Sequence, residues 1–192
     1  MALGIKNNSN SIFLVQSKEA LMEEIVVQTT DINSPKFSSD NASIFYASNA
    51  SGKWNIWQYD LSSGATKELI AYEAYDLILP HHDLDNIYYL TKDQRSIWTF
   101  NPATGQKVKI AQNQRFVPQN WYPSNKGVYF IKWKENSSFL AFYEYTSGQV
   151  RILKEYKGVM STLPSITLSP DFKSIYITKS EKLNSDIRAI KV

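Results

Sequence analysis

A turn followed by a short apolar strand recurs along this chain at nearly constant spacing. Each copy places an Asp or Asn a few residues before a run of β-branched and aromatic side chains, which is typical of a tight turn leading into a β-strand. A period of roughly 40 to 45 residues is expected of four-stranded propeller blades. The turn residues are Asp40, Asp83, Asn125 and Asp171, and the runs that follow are residues 44–46, 87–89, 128–130 and 175–177.

A second marker keeps the same period. Each of the first three units contains an alternating apolar strand that ends in a glycine-containing turn, where a positive φ is accessible. An aliphatic and an aromatic residue hold fixed places before each glycine: Ile56 and Tyr59 before Gly64, Ile97 and Phe100 before Gly105, Leu140 and Tyr143 before Gly148. Because two markers share one period, we predict an all-β propeller of about four antiparallel blades, each with strands a to d.

The two ends of the repeat do not coincide with whole blades. Residues 12–15 fall in the register of strand c and residues 24–27 in that of strand d, which predicts a c/d hairpin at the N-terminal end. The last unit supplies strands a, b and c but no d. Three possibilities stay open: a closed four-bladed ring in which residues 24–27 complete the last blade, a fragment of a larger propeller, or a ring completed between chains. We favour the partial propeller, whose open blade edges would promote homo-oligomers.

The repeat divides the chain into a polar lead, expected to be flexible, and a single propeller domain. The lead covers residues 1–10 and the domain residues 11–192, with blade units at about 11–33 (partial), 34–71, 72–112, 113–156 and 157–192. The chain has 192 residues and a formal net charge of +3 without a basic tract, so we expect no direct nucleic-acid contact. No apolar window is long enough for a membrane span. The absence of cysteine excludes disulfides.

Several of these motifs resemble known propeller repeats. The first full unit resembles the TolB-like repeat, a relative of WD repeats, through Ser39 and Asp40, residues 44–46, residues 54–57 and residues 59–61; residues 169–171 repeat its opening. The later part of the chain also resembles the closing blades of propellers attached to CadC-like membrane-bound transcription activators, through residues 120–121, 127–131, 142–150, 168–171 and 184–187. That resemblance implies a periplasmic sensor region joined through one transmembrane helix to a cytoplasmic winged helix.

Candidate ligand contacts lie in the connections that lead into strand a, because those connections gather around the central opening of a propeller. Arg115 is the preferred residue, since a guanidinium beside aromatic side chains can bind a carboxylate or a peptide end. The alternative role of these residues is that of ordinary solvated loop. The partner expected here is a protein or a small molecule. The candidates are Tyr75, Asp76, Arg115, Phe116, Gln119 and Asn120.

The chain offers few groups for catalysis. His81, His82 and Asp83 form its one histidine cluster, but two histidines without cysteine do not complete a zinc site, and no Gly-x-Ser-x-Gly elbow is present. We therefore expect a non-enzymatic binding protein without catalytic residues, metal or cofactor. The alternatives are a TolB-like periplasmic scaffold and an accessory propeller of a serine peptidase or polysaccharide lyase. The five tryptophans are expected to pack between blades.

Overall fold

The computed structural model describes residues 2–5, 10–16, 21–28, 30–71, 74–134, 137–157, 166–181 and 184–191. In these residues every regular element is a β-strand, and the strands form five separate antiparallel sheets. We number the sheets as blades 1 to 5 in chain order. The predicted all-β propeller architecture is confirmed, and the described part of the chain is a partial propeller.

Blades 2, 3 and 4 are complete four-stranded sheets in which each strand pairs with its neighbour in sequence. Their strands a to d are as follows. Blade 2 contains β4 (Ile32–Phe37), β5 (Ser43–Ser48), β6 (Asn55–Asp60) and β7 (Thr66–Ile70); blade 3 contains β8 (Ala74–Ile78), β9 (Ile87–Thr91), β10 (Ser96–Phe100) and β11 (Lys107–Gln112); blade 4 contains β12 (Trp121–Pro123), β13 (Gly127–Lys134), β14 (Ser137–Glu144) and β15 (Val150–Lys157).

Blade 1 contains one strand more than the sequence predicts. Its strands are β1 (Ala2–Ile5), β2 (Asn10–Gln16) and β3 (Leu21–Gln28), and β2 and β3 are the predicted c/d hairpin. The prediction of a flexible lead over residues 1–10 is wrong for β1, which pairs with β2 from Ala2 opposite Val15 to Ile5 opposite Ile12. The polar composition of the lead concealed a short apolar segment that completes a ladder with β2. Residues 1 and 6–9 of that lead lie outside the described residues.

Blade 5 has three strands, β16 (Ile166–Leu168), β17 (Ser174–Glu181) and β18 (Asn184–Lys191). As predicted, they correspond to a, b and c. No described strand pairs with the outer edge of β18. Because β3 pairs with β2 in blade 1, it does not complete blade 5, and the closure that used residues 24–27 for that purpose is excluded.

The aliphatic marker of the repeat coincides with a β-bulge. Pairing between strands c and d shifts register directly after Ile12, Ile56, Ile97 and Leu140 in blades 1 to 4. All four side chains are buried. Since a bulge bends its strand and increases the local twist, the repeat seen in sequence is a repeat of sheet curvature.

The hydrophobic core is distributed between the blades. Each buried cluster joins two consecutive blades, and the cluster between blades 3 and 4 contains the fully buried Trp121, Phe116 and Phe130. Burying a large apolar side chain contributes roughly 1.5–3 kcal/mol, so these interfaces dominate the stability of the propeller. The expected packing of tryptophan between blades is confirmed for Trp57, Trp98, Trp121 and Trp133.

Candidate ligand-binding rim

The connections between strands lie on two rims of the propeller. Because successive strands are antiparallel, the a–b and c–d turns share one rim, which we call the a–b rim. The b–c turns and the connections from strand d of one blade to strand a of the next share the opposite rim, the d–a rim. All six predicted ligand contacts belong to the d–a rim: Tyr75 and Asp76 lie at the beginning of β8, and the other four lie between β11 and β12.

Asp76 joins three consecutive blades. Its side chain is 2% exposed, and its carboxylate accepts hydrogen bonds from Ser34 Oγ of blade 2, from the Gln119 backbone N–H at 2.7 Å and from Trp121 Nε1 at 3.0 Å. Ser34 lies 42 positions before Asp76, and Gln119 lies 43 positions after it. The carboxylate therefore connects nearly equivalent places in three copies of the repeat. Charge-assisted hydrogen bonds of this kind are stronger than neutral ones.

Local irregularities of the inner strands allow this network to form. Pairing shifts register between Ala74 and Asp76 in blade 3, and between Asn33 and Lys36 in blade 2. Ser34 and Gln119 both have left-handed backbone conformations, with φ of 53° and 64°. Such conformations are costly for residues other than glycine, and the hydrogen bonds to Asp76 offset that cost.

Three of the six candidates have side chains that solvent does not reach. Phe116 is 0% exposed and packs against Phe130 with ring centroids 4.9 Å apart. Asn120 is 1% exposed, and its carbonyl accepts a hydrogen bond from the Ile131 N–H. Together with the buried Asp76, these residues support the rim from within, and their side chains are not exposed to solvent. Their loop positions were recognisable in the sequence, but the direction of each side chain was not.

Arg115, Tyr75 and Gln119 keep accessible side chains. Arg115 is exposed, and the residues that follow it are fixed by hydrogen bonds. The Phe116 N–H donates to the Gln94 carbonyl at 2.8 Å, and the Gln119 N–H donates to Asp76. Tyr75 is half-buried and meets Trp54 edge to face, with ring centroids 4.7 Å apart. The d–a rim thus presents a cation and an aromatic side chain on a rigid support.

The histidine cluster lies on the a–b rim and packs between blades. His81 is exposed, whereas His82 is half-buried, with its ring edge to face against Phe172 of blade 5 at 5.3 Å and against Tyr88 at 6.0 Å. Burial lowers the pKa of His82, and the neighbouring Asp83 carboxylate partly opposes that effect. The contact with Phe172 had no signal in the sequence.

Asp83, the third member of this cluster, is engaged in hydrogen bonds with neighbouring side chains. Asp83 accepts hydrogen bonds from Asn86 Nδ2 at 2.9 Å and from the Tyr88 hydroxyl at 2.8 Å. Burial raises the pKa of Tyr88, and the hydrogen bond to Asp83 adds to this. Among the described residues, no three His, Cys, Asp or Glu side chains are grouped as metal ligands would be.

Within the residues that the structure describes, no helix has the length and apolar character that a membrane-spanning helix requires.

The fold defines the chain as a β-propeller, and solved structures agree with this. It is similar to TolB from Acinetobacter baumannii, with a TM-score of 0.75 and 17% identity over 98% of this chain and 48% of that one. It is also similar to an oligogalacturonate lyase from Vibrio parahaemolyticus, with a TM-score of 0.60 and 11% identity over 93% of this chain and 54% of that one. A third is a puromycin-hydrolyzing peptidase from Mycobacterium tuberculosis, with a TM-score of 0.57 and 14% identity over 89% of this chain and 29% of that one.

These similarities establish the propeller scaffold. The chain spans about half the length of TolB and of the lyase. Comparisons with known protein families and with curated protein sequences find no match. Two of these proteins are named for different activities, a lyase and a peptidase, so the fold by itself does not select a function.

Proposed function

We propose that this chain is a non-enzymatic binding propeller that takes a protein or small-molecule ligand at its d–a rim. We further propose that it forms the periplasmic C-terminal sensor region of a membrane-bound one-component transcription regulator. The observation that carries the binding role is the exposed Arg115 on a connection whose neighbouring residues are fixed by the core and by Asp76.

Preorganisation makes this connection suitable for binding. A ligand that contacts Arg115 does not need to order the loop, so less of its interaction energy is lost to conformational entropy. The guanidinium can bind a carboxylate through two parallel hydrogen bonds. Asp76 itself is already occupied by three donors and acts as the support of the site.

The non-enzymatic part of the proposal is supported by the roles of the groups best suited to acid–base chemistry. The His82 ring packs against Tyr88 and Phe172, and Asp83 is engaged by Asn86 and Tyr88. These contacts give the cluster a packing role between blades 3 and 5.

The regulator role rests on the resemblance of residues 120–187 to CadC-like propellers. A TolB-like periplasmic scaffold is the second candidate, favoured by the TM-score of 0.75 with TolB. An accessory propeller of a peptidase or lyase is the third, and the structural similarity to such enzymes supports it only at the level of fold.

The complete reading frame separates these candidates. A regulator requires a winged helix and one membrane-spanning helix before the propeller, whereas the scaffold would follow a small α/β domain. In a full-length regulator, Arg115→Ala should abolish signal-dependent transcription without changing protein abundance, and Lys126→Ala on the a–b rim should leave it intact. A reading frame without the winged helix and membrane helix would refute the regulator role. Turnover of an oligogalacturonate or a peptide that is lost on substituting His81 and His82 would refute the non-enzymatic role.

A further inference from the structure

Among the described residues of the turns and strand ends, the two rims of the propeller carry opposite net charge. On the a–b rim, carboxylates outnumber amines: the acidic residues are Asp40, Asp60, Asp83, Asp85, Glu144 and Asp171, and the basic ones are Lys107, Lys126 and Lys173. On the d–a rim the balance is reversed: the basic residues are Lys53, Lys92, Arg95, Arg115, Lys134 and Lys157, and the acidic ones, apart from the buried Asp76, are Asp31 and Asp93. These lists cover side chains that the structure describes.

The carboxylates of the a–b rim are engaged by their own turns. Asp60 accepts from the hydroxyl and N–H groups of Ser62 and Ser63, and these hydrogen bonds lower its pKa to about 2. Hydrogen bonds from Ser38 and Ser169 likewise lower the pKa values of Asp40 and Asp171. Asp171 also lies 3.8 Å from the Lys173 amine. This charge therefore serves to shape the turns.

The cations of the d–a rim are differently placed. Lys92, Arg115, Lys134 and Lys157 are all exposed, and within the described residues none of them forms a salt bridge. Because these four cations have no salt-bridge partner among the described side chains, their positive charge is available to attract an anionic partner.

We infer that the d–a rim is a docking surface for an acidic peptide segment of a partner protein, with Arg115 and Lys92 among its contacts. This inference rests on the proposed binding function and specifies the partner's chemistry and the rim that it occupies. Charge complementarity selects an acidic segment. The half-buried Tyr75 beside Trp54 offers an apolar surface that the side chains or backbone of the acidic segment can contact.

Two other occupants fit the rim less well. A nucleic acid would need a continuous positive track, whereas Asp31 and Asp93 interrupt this rim and the whole chain carries only +3. The acidic rim of a second copy is complementary in sign, but most of its carboxylates are held in their own turns. Both occupants are nevertheless outcomes of the experiment below.

The experiment is equilibrium binding of a fluorescein-labelled, glutamate-rich peptide, followed by fluorescence anisotropy. A glutamine-substituted peptide and a single-stranded oligonucleotide of equal charge serve as comparison probes. We expect binding that weakens with salt and falls by about tenfold in Arg115→Glu and in Lys92→Glu. Lys126→Glu, the same charge reversal on the a–b rim, should change it by less than about twofold. Thermal melting of each variant confirms that it is folded.

Three results would overturn the inference. They are equal binding of the glutamine peptide, tighter binding of the oligonucleotide, and an equal loss in Lys126→Glu and Arg115→Glu. Self-association that Arg115→Glu abolishes would assign the rim to a second copy instead.

The test also separates this inference from the proposed function. If the acidic peptide does not bind but another ligand requires Arg115, the inference fails while the binding role stands. Catalytic turnover dependent on His81 and His82 would remove the proposed non-enzymatic function whichever rim the peptide occupies.

Discussion

The Asp76 carboxylate accepts a hydrogen bond from the Trp121 indole Nε1 at 3.0 Å, across the boundary between blades 3 and 4. Both side chains are buried, and the same carboxylate also binds Ser34 and the Gln119 N–H. A single side chain therefore fixes the inner strands of three blades.

Removing this carboxylate should destabilise the propeller. Asp76→Ala leaves the buried Trp121 and Gln119 donors without their acceptor, and we expect a loss of about 3 kcal/mol in the free energy of unfolding. Urea denaturation measures this loss. Asp85→Ala, an exposed carboxylate in the β8–β9 turn, should change the free energy by less than about 0.5 kcal/mol. Equal effects of the two substitutions would show that the hydrogen bonds to Asp76 do not contribute to the free energy of unfolding.

His82 should make stability depend on pH. Burial lowers its pKa below the usual histidine value of about 6.5, so the unfolded chain takes up a proton before the folded chain does as the pH falls. The contribution of neutral His82 to folding stability is therefore complete above about pH 6.5. It is lost as the pH falls through the folded-state pKa of His82. We expect the urea concentration at the unfolding midpoint to decrease when the pH is lowered from 7.5 to 5.5. The decrease should be smaller in His82→Phe.

His81 provides a matched control for this experiment because it is the exposed neighbour in the same turn. His81→Phe should retain the pH dependence of the original chain. The carboxyl pKa values of Asp40, Asp60 and Asp171 are lowered from 3.8, so those groups do not titrate in this window. An unchanged pH dependence in His82→Phe would contradict the assignment.

Gly127 should tolerate no side chain. A Cβ atom built there would lie 2.0 Å from the Tyr143 carbonyl oxygen and 2.6 Å from the Phe142 ring, so β13 and β14 would have to separate. We expect Gly127→Ala to cost about 3 kcal/mol, measured by chemical denaturation. At Gly105 a Cβ meets nothing within 4 Å, and only its φ of 74° opposes alanine, with a cost of about 1 kcal/mol. The reverse order of the two costs would mean that β13 and β14 are paired differently.

The outer edge of β18 should promote self-association. No described strand covers it, and an uncovered strand edge can pair with another chain. Light scattering over a range of concentrations should show an increasing mean mass. A mass that stays monomeric, together with slow hydrogen exchange along β18, would indicate that the edge is covered.

The sequence predicted the blades because their spacing is a physical repeat. Ile56 and Ile97 mark both the bulge and the buried contact between sheets, so their period was visible before the structure. The lead was misjudged because four residues are too short to show alternation against a polar background. At the candidate site, periodicity located the connection but not its side-chain directions: adjacent Arg115 and Phe116 are respectively exposed and fully buried. The partners of Asp76 lie 42 to 45 positions away, beyond any local pattern.

The central claim is that this propeller binds through its d–a rim. The most direct test is backbone hydrogen exchange measured with and without the glutamate-rich peptide. We expect the peptide to slow exchange in residues 113–120, around Arg115, and in the β9–β10 turn that carries Lys92. The a–b rim turns near Asp40 and Asp171 should be unaffected. Protection confined to the a–b rim, or absent from residues 113–120 at saturating peptide, would contradict the account.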